Sequence, residues 1–198
     1  MLTLWRGGCG RPTLPYSRAF AFSIQERGMT TFSFQSILGG DFGAMQTLAK
    51  MRNIANAALR DPVVIEQARQ IIEDAGVLGR NEGGKYNAIR QWMLDHLQFL
   101  PDPVGVELLA TPRYMIDYIR RSHFVSGDCD DAAILGAALG KAVGLRAKMR
   151  ALSFGSKSRP FSHVYTLLLV RGQWANLDTT RSTRFPPPPA ARIIELGV

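Results

Sequence analysis

The sequence predicts an α+β domain in which helices come first and a small antiparallel sheet follows. Two stretches of different hydrophobic period and one turn signal carry that expectation. Apolar residues recur at steps of three and four between residues 42 and 143, and strand-like runs take over from 145 to 178. Arg171-Gly172 interrupts those runs as a two-residue hairpin turn. The chain has 198 residues, 46% hydrophobic and 20% charged, so one core of ordinary size is available without metal or disulfide staples.

The elements follow in order. Met45, Leu48, Met51, Ile54, Ala55 and Leu59 form one face of a first helix. Asp61-Pro62 is an N-cap followed by proline at the first helical position, and Val63, Ile65, Ala68, Ile71, Ile72 and Ala75 continue as a second helix that stops at Gly76. The run at 79–84 reads as a loop, and 85–98 as a third helix burying Ile89, Trp92, Met93 and Leu97. Residues 100–105, with two prolines, read as a turn. Thr111-Pro112 then caps a fourth helix bearing Tyr114, Met115, Tyr118 and Ile119. Asp128 is a good N-cap for a fifth helix, with Asp131 completing something close to a capping box. That helix runs to about Val143 and ends at Gly144. Its small residues Ala133, Gly136, Ala137 and Gly140 allow close packing, so it is expected to be the buried central helix. Strands are expected at 145–153, 162–170 and 173–178.

The ends read differently from the middle. Residues 1–28 carry Arg6, Arg11, Arg18 and Arg27 against the single acid Glu26, with no apolar stretch of signal-peptide length. They are expected to be a disordered or extended tail that contributes little to stability, with Cys9 as an incidental thiol. An arginine-rich leader and a start ahead of the true one at Met29 are the alternatives. The division expected is this tail, a helical segment at 29–80, a catalytic unit at 81–185 and a proline-rich tail at 186–198. No signal peptide and no span of about 20 apolar residues is visible, so no membrane is expected. The net charge of +8 is dispersed, and nucleic acid is not expected as a partner. The densest basic patches are Arg120-Arg121 and the group Lys148, Arg150, Lys157 and Arg159, placed to meet an anionic substrate.

Chemistry concentrates at three residues. Cys129 falls in the first turn of the fifth helix, where unpaired N–H groups and the helix dipole stabilise a thiolate. The flanking Asp128, Asp130 and Asp131 oppose that effect unless they are spent on capping. His163 opens one strand and Asp178 closes the next. If the hairpin turns on Arg171-Gly172, Val170 faces Gln173 and Asp178 falls opposite Tyr165. His163 then lies two residues further along the same face, roughly 7–8 Å away at the backbone and within side-chain reach. A four-residue loop would set His163 directly opposite Asp178, and a one-residue slip would send the two to opposite faces. As a metal loop the acidic run fails, since Ala133 stands where a calcium loop needs glycine. With three histidines and two cysteines, no zinc pattern appears either, so neither metal nor cofactor is expected.

The stretch GDCDDAAILGAALGKAVGLRAKMRAL followed by SHVYTLLLVRGQWANLD resembles the transglutaminase-like superfamily of papain-like thiol enzymes. Cys129, His163 and Asp178 match the family's triad, with Gly144-Leu145 and Trp174 in supporting places. The lead-in FLPDPVGVELLATPRYMI is similar to bacteriophage and prophage members. The sequence departs from the family in having SHVY where many members have HAW, and in lacking an obvious second oxyanion donor. The resemblance implies a papain-like core with the Cys-bearing helix packed on the antiparallel sheet. It also implies a cysteine protease or amidase acting through an acyl-thioester on a protein or peptide, cell-wall peptide included. A transamidase using the same triad and a catalytically inactive structural or binding module, such as a phage particle component, stay open. The location implied is the cytoplasm of a bacterial host, or the virion.

Overall fold

The computed structural model describes residues 18–26, 29–37, 40–102, 106–157, 160–180 and 189–198, with the first two of these stretches as backbone. Cys9 lies outside the described residues. Strands β1 (Arg18–Glu26) and β2 (Met29–Ile37) precede helices α1 (Gly40–Ala58), α2 (Pro62–Asp74) and α3 (Glu82–His96). Then come β3 (Leu97–Phe99), β4 (Val106–Leu109), α4 (Pro112–Ser122), β5 (Val125–Gly127) and α5 (Cys129–Ala142). The chain closes with β6 (Ala147–Phe154), β7 (His163–Val170), β8 (Gln173–Leu177) and β9 (Ala190–Gly197). This is the α+β architecture expected, with the principal sheet antiparallel in the order β8-β7-β6-β9.

The helix ends follow from their caps. Asp61 accepts a hydrogen bond from the Val63 N–H at 2.9 Å and Thr111 Oγ1 accepts one from the Tyr114 N–H, each ahead of a proline in the first turn. Asn81 caps α3 by accepting from the Gly84 N–H, so the helix starts at Glu82 and absorbs residues read as loop. The cap outweighs the low helix propensity of Gly83-Gly84.

Every residue of α5 from Cys129 to Gly140 is buried. Helices α1, α2 and α3 cover one side of it and the sheet covers the other. Thr166 Oγ1 of β7 donates to the Ala133 carbonyl at 2.7 Å, while Gly140 lies against Leu168. Helix and strand therefore run in the same direction. Gly144, at φ 86°, ends the helix, and the Leu145 N–H bonds the Gly140 carbonyl at 2.9 Å.

Four expectations need correction. Residues 29–37, expected to open a helical segment at 29–80, form strand β2 paired with β1, and helix begins only at Gly40. Residues 18–26 are not tail: β1 is the middle strand of a sheet ordered β2-β1-β4, antiparallel to β2 and parallel to β4. Residues 190–197, expected within a proline-rich tail, pair antiparallel with β6. Alternation of Ala191, Ile193 and Glu195 with Arg192, Ile194 and Leu196 suits a strand exposed on one side, but the preceding prolines masked it. The short parallel pair β3–β5 was also not expected, since its partners are far apart in sequence. A chain beginning at Met29 should consequently lose the strand that joins β2 to β4. Its melting temperature should fall by more than about 5 °C, on the order of 1–2 kcal/mol for a domain this size. An unchanged thermal transition would show that β1 adds nothing to the fold.

Candidate active site

The β7–β8 hairpin turns on Arg171 (φ 51°) and Gly172 (φ 80°), the two positive φ values of a type I′ turn. The register that results pairs Val170 with Gln173 and Thr166 with Leu177. Asp178, just beyond the last pair, shares a sheet face with His163, and the two side chains meet: His163 Nε2 lies 2.6 Å from Asp178 Oδ2. His163 is buried, and among the described residues its other ring nitrogen, Nδ1, is buried without a hydrogen-bond partner. Leaving such a nitrogen unsatisfied costs about 1–3 kcal/mol.

Asp178 is held in place by Thr180, whose N–H and hydroxyl both donate to Asp178 Oδ1, at 3.2 and 3.0 Å. Burial opposes ionisation of this carboxyl, but the hydrogen bond and charge of His163 and the two bonds from Thr180 outweigh it. The Asp178 carboxyl is thus held below its ordinary value of 3.8. A carboxyl with a depressed folded-state pKa stabilises the fold above its unfolded value and loses that contribution as pH falls through the depressed one. The stability difference between wild type and Asp178→Asn should therefore be full at neutral pH and shrink as pH falls below 3.8. Acid unfolding followed by circular dichroism checks this, and a gap that stays constant into strong acid would contradict it.

Cys129 is the first residue of α5 and is buried. Its sulfur is engaged in a disulfide, so it acts as a thiol only after reduction. From the Thr166–Ala133 contact, α5 runs back four residues to Cys129, about 6 Å of helix. Strand β7 runs back three residues to His163, about 10 Å. Cys129 and His163 thus mark the same end of the helix–sheet pair. Strand alternation sets His163 on the face of Tyr165 and Leu167, whereas Thr166 and Leu168 face α5. A meeting of imidazole and sulfur is therefore one around the end of the sheet. The structure joins His163 to Asp178 directly.

The acids around Cys129 serve the backbone. Asp128 Oδ1 accepts from the Asp130 N–H, Asp130 Oδ1 from the Asp131 N–H, and Asp131 Oδ1 from the Ala110 N–H at 2.7 Å. One oxygen from each of these three buried carboxylates lies within 4.8 Å of the others, the only such grouping among the described residues. Two of the four basic residues expected to meet an anionic substrate are already paired. Lys148 and Arg150 both pair with Glu195 of β9, and Lys148 lies 4.4 Å above the Trp174 ring.

Residues that the sequence reading missed complete the surroundings. Phe154 stacks near the imidazole with ring centres 6.5 Å apart, and Tyr165 tilts toward it at 5.8 Å. Tyr165 was legible as the same-face neighbour of His163, and Thr180 as the second residue after Asp178, where local side-chain bonding is common. Phe154 was not, because its place depends on the β6–β7 register that sets Leu152 opposite His163, and the long connection between those strands does not fix that register.

The sequence matches no protein-family model and no curated protein. Among solved structures, a proposed protease from Parabacteroides distasonis superimposes with TM-score 0.52 at 15% identity, over 81% of this chain and 35% of that one. A proposed cysteine protease from Cytophaga hutchinsonii gives 0.42 at 21% identity, over 60% of this chain and 38% of that one. The chain spans little more than a third of either structure's length. At 15% identity the likeness to the Parabacteroides structure is one of fold alone.

Proposed function

We propose that this chain is a transglutaminase-like cysteine hydrolase, a protease or amidase working through Cys129, His163 and Asp178. One observation carries the reading: the 2.6 Å contact of His163 Nε2 with Asp178, with Nδ1 left without a partner among the described residues. A carboxylate on one ring nitrogen fixes tautomer and orientation and stabilises the imidazolium, while the other nitrogen serves the nucleophile.

In the reduced protein the Cys129 thiolate attacks the amide carbonyl carbon, forming a C–S bond. The Cys129 N–H, at the helix start, helps hold the oxyanion. Collapse of the tetrahedral adduct breaks the C–N bond as the His163 imidazolium gives its proton to the leaving amine. Water then attacks the thioester, His163 takes its proton, and the carboxylic product leaves with the thiolate restored. An amine in place of water gives a transamidase by the same steps. The fold likeness to a protein described as a proposed protease supports hydrolysis as the first class to test.

A non-catalytic binding module is the second reading, favoured by the disulfide at Cys129. Incubating the reduced protein with casein and with peptidoglycan peptides separates the two. Cleavage that iodoacetamide abolishes is the expected result. A fully reduced protein that reacts with neither substrate and is alkylated no faster than an ordinary thiol would favour the module.

A further inference from the structure

On the proposed reading, the orientation of the His163 ring decides whether proton transfer occurs. The β6–β7 register pairs Leu152 with His163 and Arg150 with Tyr165, so Phe154 and Tyr165 flank the imidazole on opposite sides along the strand direction. Tyr165 is itself buried and tied down. Arg150 donates from Nη1 to the Tyr165 hydroxyl at 3.3 Å and from Nε to Glu195 Oε1 at 2.6 Å. Glu195 also accepts from Lys148 at 2.6 Å. A connected path thus crosses the sheet from the last strand to the candidate site.

We infer that Tyr165 is a positioning residue for His163. Its ring confines the imidazole so that Nε2 stays on Asp178 and Nδ1 is presented away from it, and the Arg150–Glu195 pair anchors that ring through its hydroxyl. The inference rests on the proposed function only for its catalytic consequence. The ring placement itself is read from the His163–Asp178 bond.

Two readouts keep these separate. Proton NMR of the reduced full chain should show a downfield His163 Nε2–H resonance from the Asp178 hydrogen bond. Tyr165→Leu should abolish or broaden it through solvent exchange, and should slow Cys129 alkylation at about pH 6 by at least tenfold, since ångström-scale misplacement costs rate steeply. Tyr165→Phe, which keeps the ring but loses the hydroxyl anchor, should retain the resonance with severalfold faster exchange and keep most of the rate. Should Tyr165→Leu fail to fold, Arg150→Gln takes its place, and the same resonance should exchange severalfold faster. A resonance unchanged in whichever variant folds would overturn the inference. If the resonance is lost while wild-type Cys129 proves no more reactive than an ordinary thiol, the positioning stands and the proposed hydrolase falls.

Discussion

Cys129→Ala should abolish turnover of any amide substrate of the reduced protein, on the order of 10⁴-fold or more, because no other group on the path can form the acyl intermediate. His163→Ala should cost about as much. The double variant should be no worse than either, since the two residues disable one unit. Asp178→Asn should leave measurable activity: the imidazole loses its charged anchor but keeps a hydrogen-bond partner, in the wrong tautomer for much of the time. Cleavage of casein or peptidoglycan peptides provides the measurement. Full activity in Cys129→Ser would contradict the covalent reading, because an unactivated hydroxyl is a much poorer nucleophile than a thiolate.

The largest effect on stability is expected at Gly140. A Cβ there would stand 2.5 Å from Leu168 Cδ2 and 3.0 Å from its Cδ1, and Leu168 is wholly buried. Valine adds two further carbons where α5 is pressed against Leu168 of β7. Overpacking of this kind costs about 2–3 kcal/mol, far more than the few tenths that valine returns over glycine in helix propensity. The melting temperature should fall by roughly 5–10 °C. The consequence reaches the site, because the Gly140–Leu168 contact and the Thr166–Ala133 bond together set the ends of helix and strand level. Thermal unfolding monitored by circular dichroism checks this. An unshifted transition would show that helix and strand are not pressed together there, and the alignment of Cys129 with His163 would lose its basis.

What could be read from the sequence depended on whether the deciding interaction was local. The His163–Asp178 contact was legible because a two-residue turn at Arg171-Gly172 fixes the register of the whole hairpin, leaving the side-chain faces to simple alternation. The central helix was legible from its cap at Asp128, its small residues and its stop at Gly144. Strands β4 and β9 were not, because each finds its partner far away in sequence: β4 pairs with β1 across three helices, and β9 returns to β6 past the hairpin. The hairpin of β1 and β2 is local, from Arg18 opposite Ile37 to Glu26 opposite Met29, and went unread for a different reason. The alternation of Phe20, Phe22 and Ile24 was a usable strand signal, overshadowed by the arginines and glycines around it. The partners of Lys148 and Arg150 were hidden for the same reason, since Glu195 lies on the strand that was not expected.

The central claim is that Cys129 and His163 act as a pair, and the rate of Cys129 alkylation by iodoacetamide tests it most directly. An unpaired thiol, with a pKa near ~8.5, is well under 1% thiolate at about pH 6. In the reduced wild type, pairing with the imidazolium should keep Cys129 largely ionised there, so alkylation should run at least about tenfold faster than in His163→Ala even though a more acidic thiolate is intrinsically less nucleophilic. Equal rates in the two proteins at that pH, with both folded and reduced, would contradict the account.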